Sequence, residues 1–157
     1  MLRKKFDPPV PIPHKPVRLS LHDQLPLPER DLTLAALQYH FALRWLDHGC
    51  GALQHFVMLA QHLVVARALG KLGCQCISDS MLAAADDAIT KWTRHGLQTG
   101  EFRVDSDAFK AIRRFLLAHD EQLSTASRAA VSVALADLRE VCNTAWAPPA
   151  VPPSSTA

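Results

Sequence analysis

The chain has 157 residues, of which 48% are hydrophobic and 20% charged, a size for one domain and a composition that excludes a disordered chain. Its net charge is +2, too small to mark the whole molecule as a polyanion binder. The excess is local: Arg3, Lys4, Lys5, Lys15, Arg18 and Arg30 outnumber Asp7, Asp23 and Glu29 near the N-terminus.

Met1 to Pro28 reads as a proline-rich basic arm. Pro8, Pro9, Pro11, Pro13 and Pro16 each fix φ and remove a donor, which favours extended or polyproline II backbone. Leu19, Leu21, Leu25 and Leu27 suit a strap laid against the folded body, while Met1 to Lys15 is expected to stay mobile. No apolar core follows the basic start, so the arm is not a secretory signal. The most apolar run, Phe56 to Leu69, is interrupted by Gln61, His62 and Arg67 and is no membrane span. A cytoplasmic setting follows, with Cys50, Cys74, Cys76 and Cys142 as reduced thiols.

Five helices are predicted after the arm, because Ala and Leu dominate and β-branched residues are few. The first runs from Glu29 to His48. Pro28 suits its start, Glu29 and Asp31 complement its dipole, and Leu34, Leu37, Phe41, Trp45 and His48 form one face. The second, Ala52 to Leu69, carries a wide apolar face of Leu53, Phe56, Val57, Ala60, Leu63 and Val64, which marks it as central. The third, Ser78 to His95, has Met81, Leu82, Ala85, Ile89 and Trp92 as its stripe. Gly96 and Gly100 bracket a connector in which 101–104 is briefly extended. The fourth runs from Asp105 or Ser106 to His119, with Phe109, Ile112, Phe115 and Leu116 inward. The fifth runs from Ser124 to Asn143, with Val131, Leu135, Leu138 and Cys142 in line. Short connections favour antiparallel neighbours, so the fold class is all-α, a compact bundle over 29–146 with a disordered tail at 147–157.

Few residues suggest chemistry. Cys74 and Cys76, with Cys50 and His48, are zinc-ligand types. One intervening residue is short for a chelate, however, and the two turns stand at opposite ends of a helix roughly 27 Å long. Small turn thiols are the simpler reading. His48, His55 and His62 recur every seven residues, roughly 10 Å apart, too far to share one ion. Gln54, His55, Gln61 and His62 instead suggest a polar contact stripe. His119-Asp120-Glu121 has acid–base residue types but no nucleophile or pocket signature. It reads as a helix end where a cationic His is favoured. No glycine-rich phosphate loop occurs, and no cofactor is expected.

Arg113 and Arg114, with the basic arm, are candidates for a nucleic-acid contact. The segment from Ala66 to Gly70 could close the first helix of a helix-turn-helix. The turn to the next helix is too long, though, and that helix carries Asp79, Asp86 and Asp87, which repel phosphates.

From Ile77 on, an ordered set stands out: Ala84, Asp86-Asp87-Ala88, Arg94, Thr99-Gly100, Asp105, Asp107, Ala111-Ile112, Leu116, His119-Asp120 and Gln122-Leu123. This pattern resembles small helical proteins of unknown function encoded by bacteriophages and bacterial mobile elements. The resemblance implies an accessory role and brings no catalytic residue with it. The expectation is therefore a non-enzymatic interaction or regulatory protein that binds a protein partner or itself. The alternative is a nucleic-acid-associated transcriptional regulator using the arm and Arg113/Arg114.

Overall fold

A proline has no amide hydrogen to lose at a helix start, and Pro28, with φ of −58°, leads directly into helix α2. The structure, a computed structural model, describes residues 19–145, with side chains to residue 143. Residues 1–18 of the arm and the 147–157 tail lie outside the described residues. Six helices are described: α1 (Leu21–Gln24), α2 (Glu29–Asp47), α3 (Leu53–Lys71), α4 (Asp79–Thr99), α5 (Ser106–Thr125) and α6 (Arg128–Ala145). The all-α expectation holds, and no β-strand occurs among the described residues.

Residues 19–28 lie against the body as a strap, but 21–24 form helix α1, capped by Ser20, where extended backbone was expected. The segment is also held differently from the way the leucines suggest. Leu19, Leu21 and Leu25 are exposed, and only Leu27 packs inward, against the cluster of Val65, Leu69, Leu123 and Val131. The grip comes from Arg128. Its amide donates to Leu25 O at 2.9 Å, its Nε donates to Pro26 O at 3.1 Å, and its guanidinium meets the His22 ring.

Helix α3 is central, as its apolar width implied. It packs against α2, α4, α5 and α6, and Phe56, Leu59, Leu63, Val65, Ala66, Ala68 and Leu69 are all buried. The main core lies between α2, α3, α4 and α5 around Phe56, Ile112 and Phe115. A smaller one joins α3 to α6 and the strap. Along α6 the inward line is the buried Val131 and Ala134 and the half-buried Leu138. Leu135 and Cys142, expected in that line, are exposed.

Two helices run longer than expected, each for a physical reason. Gly96 does not end α4. It is buried inside the helix, and a Cβ there would stand 2.4 Å from Phe102 Cδ1. The glycine is a flat spot that the Phe102 ring covers. The helix ends instead at Gly100, whose φ of 80° places it in the left-handed region. Helix α5 passes straight through His119 to Thr125, because His119 and Gln122 continue its buried stripe. The segment 101–104 pairs with no strand. It crosses the end of α2, where the Val104 amide donates to Leu46 O at 3.2 Å.

The same crossing explains Gly51. A Cβ on it would lie 2.3 Å from the backbone oxygen of Phe102 and 2.5 Å from Leu46 Cδ2. A carbonyl tied into a crossing cannot swing away as a side chain can. Gly51→Ala is expected to cost about 2–3 kcal/mol, visible as a melting point lower by roughly 5–10 °C. An unchanged melting point would mean that the crossing is looser than described.

The largest departure concerns α2. Its inward face is Tyr39, Ala42, Leu43 and Leu46, with Leu32, Ala35 and Ala36 alongside. The Leu34, Leu37, Phe41, Trp45 and His48 face points to water. Both lines have helical spacing. Small residues on the inner one let neighbouring helices approach closely, and that decides which face is buried.

Candidate functional site

The residues singled out by type do not gather in one place. Cys50 lies in the turn before α3 and Cys74 and Cys76 in the turn after it. All four cysteines are free. The Cys74 side chain packs into the smaller core, while Cys76 is exposed and its Sγ contacts Cys74 O at 3.6 Å. Among the described residues no group of three His, Cys, Asp or Glu side chains is placed to hold one metal ion.

The histidine row divides into three local roles. His48 caps the C-terminal end of α2 rather than joining α3. His55 turns back at the start of α3, where its Nδ1 accepts the Ala52 amide hydrogen at 2.9 Å. His62 faces inward. Gln54 is exposed and Gln61 half-buried. Arg113 and Arg114 are both exposed on α5, while the basic arm they were paired with lies outside the described residues.

What the sequence left scattered, the fold assembles into a polar network inside the bundle. Asp120 on α5 accepts hydrogen bonds from the Tyr39 hydroxyl and from His40 Nε2 at 2.8 Å. Beside it, His62 Nδ1 lies 3.2 Å from His119 Nε2, and His119 Nδ1 lies 3.1 Å from Gln122 Oε1. Gln122 Nε2 donates to Ala66 O at 3.1 Å and Gln75 O at 2.9 Å. His119 and Gln122 are 0% exposed, the only buried polar residues among those described.

The proton positions in this chain follow by elimination. Two carbonyl acceptors fix which end of the Gln122 amide is the NH₂, so its oxygen must accept from His119 Nδ1. A neutral His119 then has Nε2 as an acceptor, and His62 Nδ1 must donate to it. His62 is left with a lone pair on Nε2. Burial pushes the His62 pKa down to about 4, with the nearby His119 adding to that and Asp120 opposing it. Burial likewise lowers His119, against the Gln122 hydrogen bond and Asp120. Burial and the Asp120 carboxylate raise Tyr39, which stays a neutral donor. The earlier reading of His119 as a cationic helix end is therefore corrected. It is a neutral, buried joint within α5, and the network ties α2, α3 and the turn at Gln75 to that helix.

Over this joint lies the surface that stands out chemically. Leu34, Leu37, Phe41 and Trp45 are 52%, 46%, 58% and 53% exposed, at i, i+3, i+7 and i+11 on one helix. Beside them a shallow groove of about 480 Å³ is lined by Phe41, Arg44, Trp45, His48 and Cys50. Arg44 is held at its edge by Asp47 at 2.9 Å and by the Phe109 ring at 5.7 Å. Scattered exposed leucines are ordinary, but two aromatics and two leucines in one row form a contiguous apolar patch of roughly 400–500 Å², a size often functional on monomers. The signal was in the sequence, in the spacing of these residues. What was missing was the second, alanine-rich line that takes the inner position.

A larger groove of about 660 Å³ between α3 and α4 is lined by Ala66, Arg67, Gly70, Lys71 and Leu82 among others, and its Arg67 pairs with Asp86 at 2.8 Å. No helix of the described residues is long and apolar enough to cross a membrane. Compared with protein-family models, curated proteins and solved structures, the chain matches none.

Proposed function

We propose that this chain is a non-enzymatic interaction protein, a regulatory accessory factor of a phage or mobile element that works in the cytoplasm by binding protein through the outer face of α2. The observation that carries this reading is the exposed row Leu34, Leu37, Phe41 and Trp45. Aromatic residues held on a rigid helix lose little entropy on binding and are typical interface anchors. The network beneath supports them, because it locks α2 against α5 through Tyr39, His40 and Asp120 and against α3 through the Tyr39–His62 ring contact. The mobile-element setting comes from the resemblance over 77–123.

The test is capture from a native lysate by the full chain and by Phe41→Asp. Phe41 is 58% exposed, so the substitution is expected to leave the melting point within about 1 °C while weakening capture at least tenfold. Equal capture by both chains would remove the α2 face from the function.

The exposure of Arg113 and Arg114 favours a second reading, a nucleic-acid-associated regulator. It expects binding that falls steeply as salt rises, and the absence of any gel shift at low salt would dispose of it.

A further inference from the structure

We infer that the outer face of α2 docks against the same face of a second copy, with the two helices antiparallel. This rests on reading that face as the docking surface, and adds what occupies it.

The first argument is shape. The exposed row is a ridge along a single helix, and the groove beside it is shallow and confined to Phe41, Arg44, Trp45, His48 and Cys50, so an extended peptide has no trough running the length of the row. Another helix face is the natural complement. Phe41, Arg44, Trp45 and His48, four of the groove-lining residues, stand at i, i+3, i+4 and i+7. Four residues at that spacing make the diamond-shaped hole into which a facing helix inserts one side chain. Leu34, exposed on the same helix about two turns toward the N-terminus from Phe41, is a side chain of the size that such a hole takes.

Knob and hole therefore sit on one face, and a two-fold axis brings them together twice. With the axis between Tyr39 and His40 in height, residue 34 of one copy lies level with residue 45 of the other, and 38 level with 41. Both copies use the same patch, so the contact closes on itself and does not propagate.

The second argument is area. Two patches of roughly 400–500 Å² give roughly 800–1,000 Å² of apolar surface, and the rim of Arg30, Gln38, Arg44 and His48 carries the total past the roughly 1,000 Å² that a specific interface needs. That is the low end of the range and fits a reversible dimer.

The experiment is sedimentation equilibrium of the full chain, with cysteine cross-linking to give orientation. The expected mass rises with concentration from 17.3 kDa toward twice that value. Phe41→Asp is expected to raise the dissociation constant at least about a hundredfold while the circular dichroism and melting point stay unchanged. In a chain with its own four cysteines replaced, Gln38→Cys is expected to form a disulfide with itself. Arg30→Cys is expected not to, since antiparallel copies hold the two positions roughly 28 Å apart along the helices.

A chain that stays at 17.3 kDa to millimolar concentration overturns the second-copy inference. If Phe41-dependent capture from lysate persists in that case, only the self-pairing fails; if it is lost too, the α2 face itself is not a docking surface. A dimer that survives Phe41→Asp, or cross-links equally through Arg30→Cys, also overturns the inference.

Discussion

Replacing His119 with alanine is expected to lower the unfolding free energy by about 4 kcal/mol. The imidazole is 0% exposed and stacks on Phe115 with ring centroids 5.7 Å apart, so its removal opens a cavity that the surrounding helices fill only in part. It also strands two polar groups, the Gln122 oxygen at 3.1 Å and the His62 Nδ1 hydrogen facing it at 3.2 Å. A domain is typically stable by about 5–15 kcal/mol, so this one change removes a third or more of a midrange value. Urea unfolding checks it, with Arg113→Ala as an exposed reference expected within about 0.5 kcal/mol of the parent. A His119→Ala chain within about 1 kcal/mol of the parent would mean that the network is not a joint of the fold.

Acid is expected to undo the same joint. In the unfolded chain His62 titrates near its ordinary 6.5, and in the native chain burial holds it at about 4. The native state therefore binds fewer protons than the unfolded state between those values, and stability rises with pH across that window. The contribution is fully present above pH 6.5, is lost as pH falls through the window, and is gone below pH 4. It amounts to about 3 kcal/mol. His119, lowered by the same cause, contributes with the same sign. His62 is the more accessible of the two rings, and its Nε2 takes the first proton without breaking the bond to His119. Urea midpoints between pH 7.5 and 4.5 are expected to fall steeply in the parent and much less in His62→Gln. A flat parent profile would contradict the buried, neutral pair.

How much of this was legible depends on how local each signal was. The order of the five long helices was read from spacing and turn residues, and the start of α2 after Pro28 was legible from a single residue. The short α1 inside the arm was not expected, because the prolines around it argued for extended backbone. The length of α5 was misread because His119 and Gln122 are polar. They stand at the 112, 115/116, 119, 122/123 repeat, and a polar residue in such a line marks a buried network as readily as a helix end. Nothing local joins Asp120 to Tyr39 and His40, about eighty residues apart; that meeting is a product of α2 packing on α5. Gly96 was read as a breaker because its partner, the Phe102 ring, is supplied by the chain doubling back. On α2 the sequence held two apolar lines, and bulk alone favours Leu34, Leu37, Phe41 and Trp45 as the buried one. Close helix approach favours the line with Ala35, Ala36 and Ala42. The bulky line is left at the surface, where it becomes the candidate site.

The most direct measurement places a photo-crosslinking phenylalanine at position 41, and a second at position 113, in the full chain in living cells. A protein adduct from position 41, to another copy of the chain or to a distinct partner, with little from position 113, is the expected result. Cross-linking from position 113 and none from position 41 would contradict the assignment of binding to the outer face of α2.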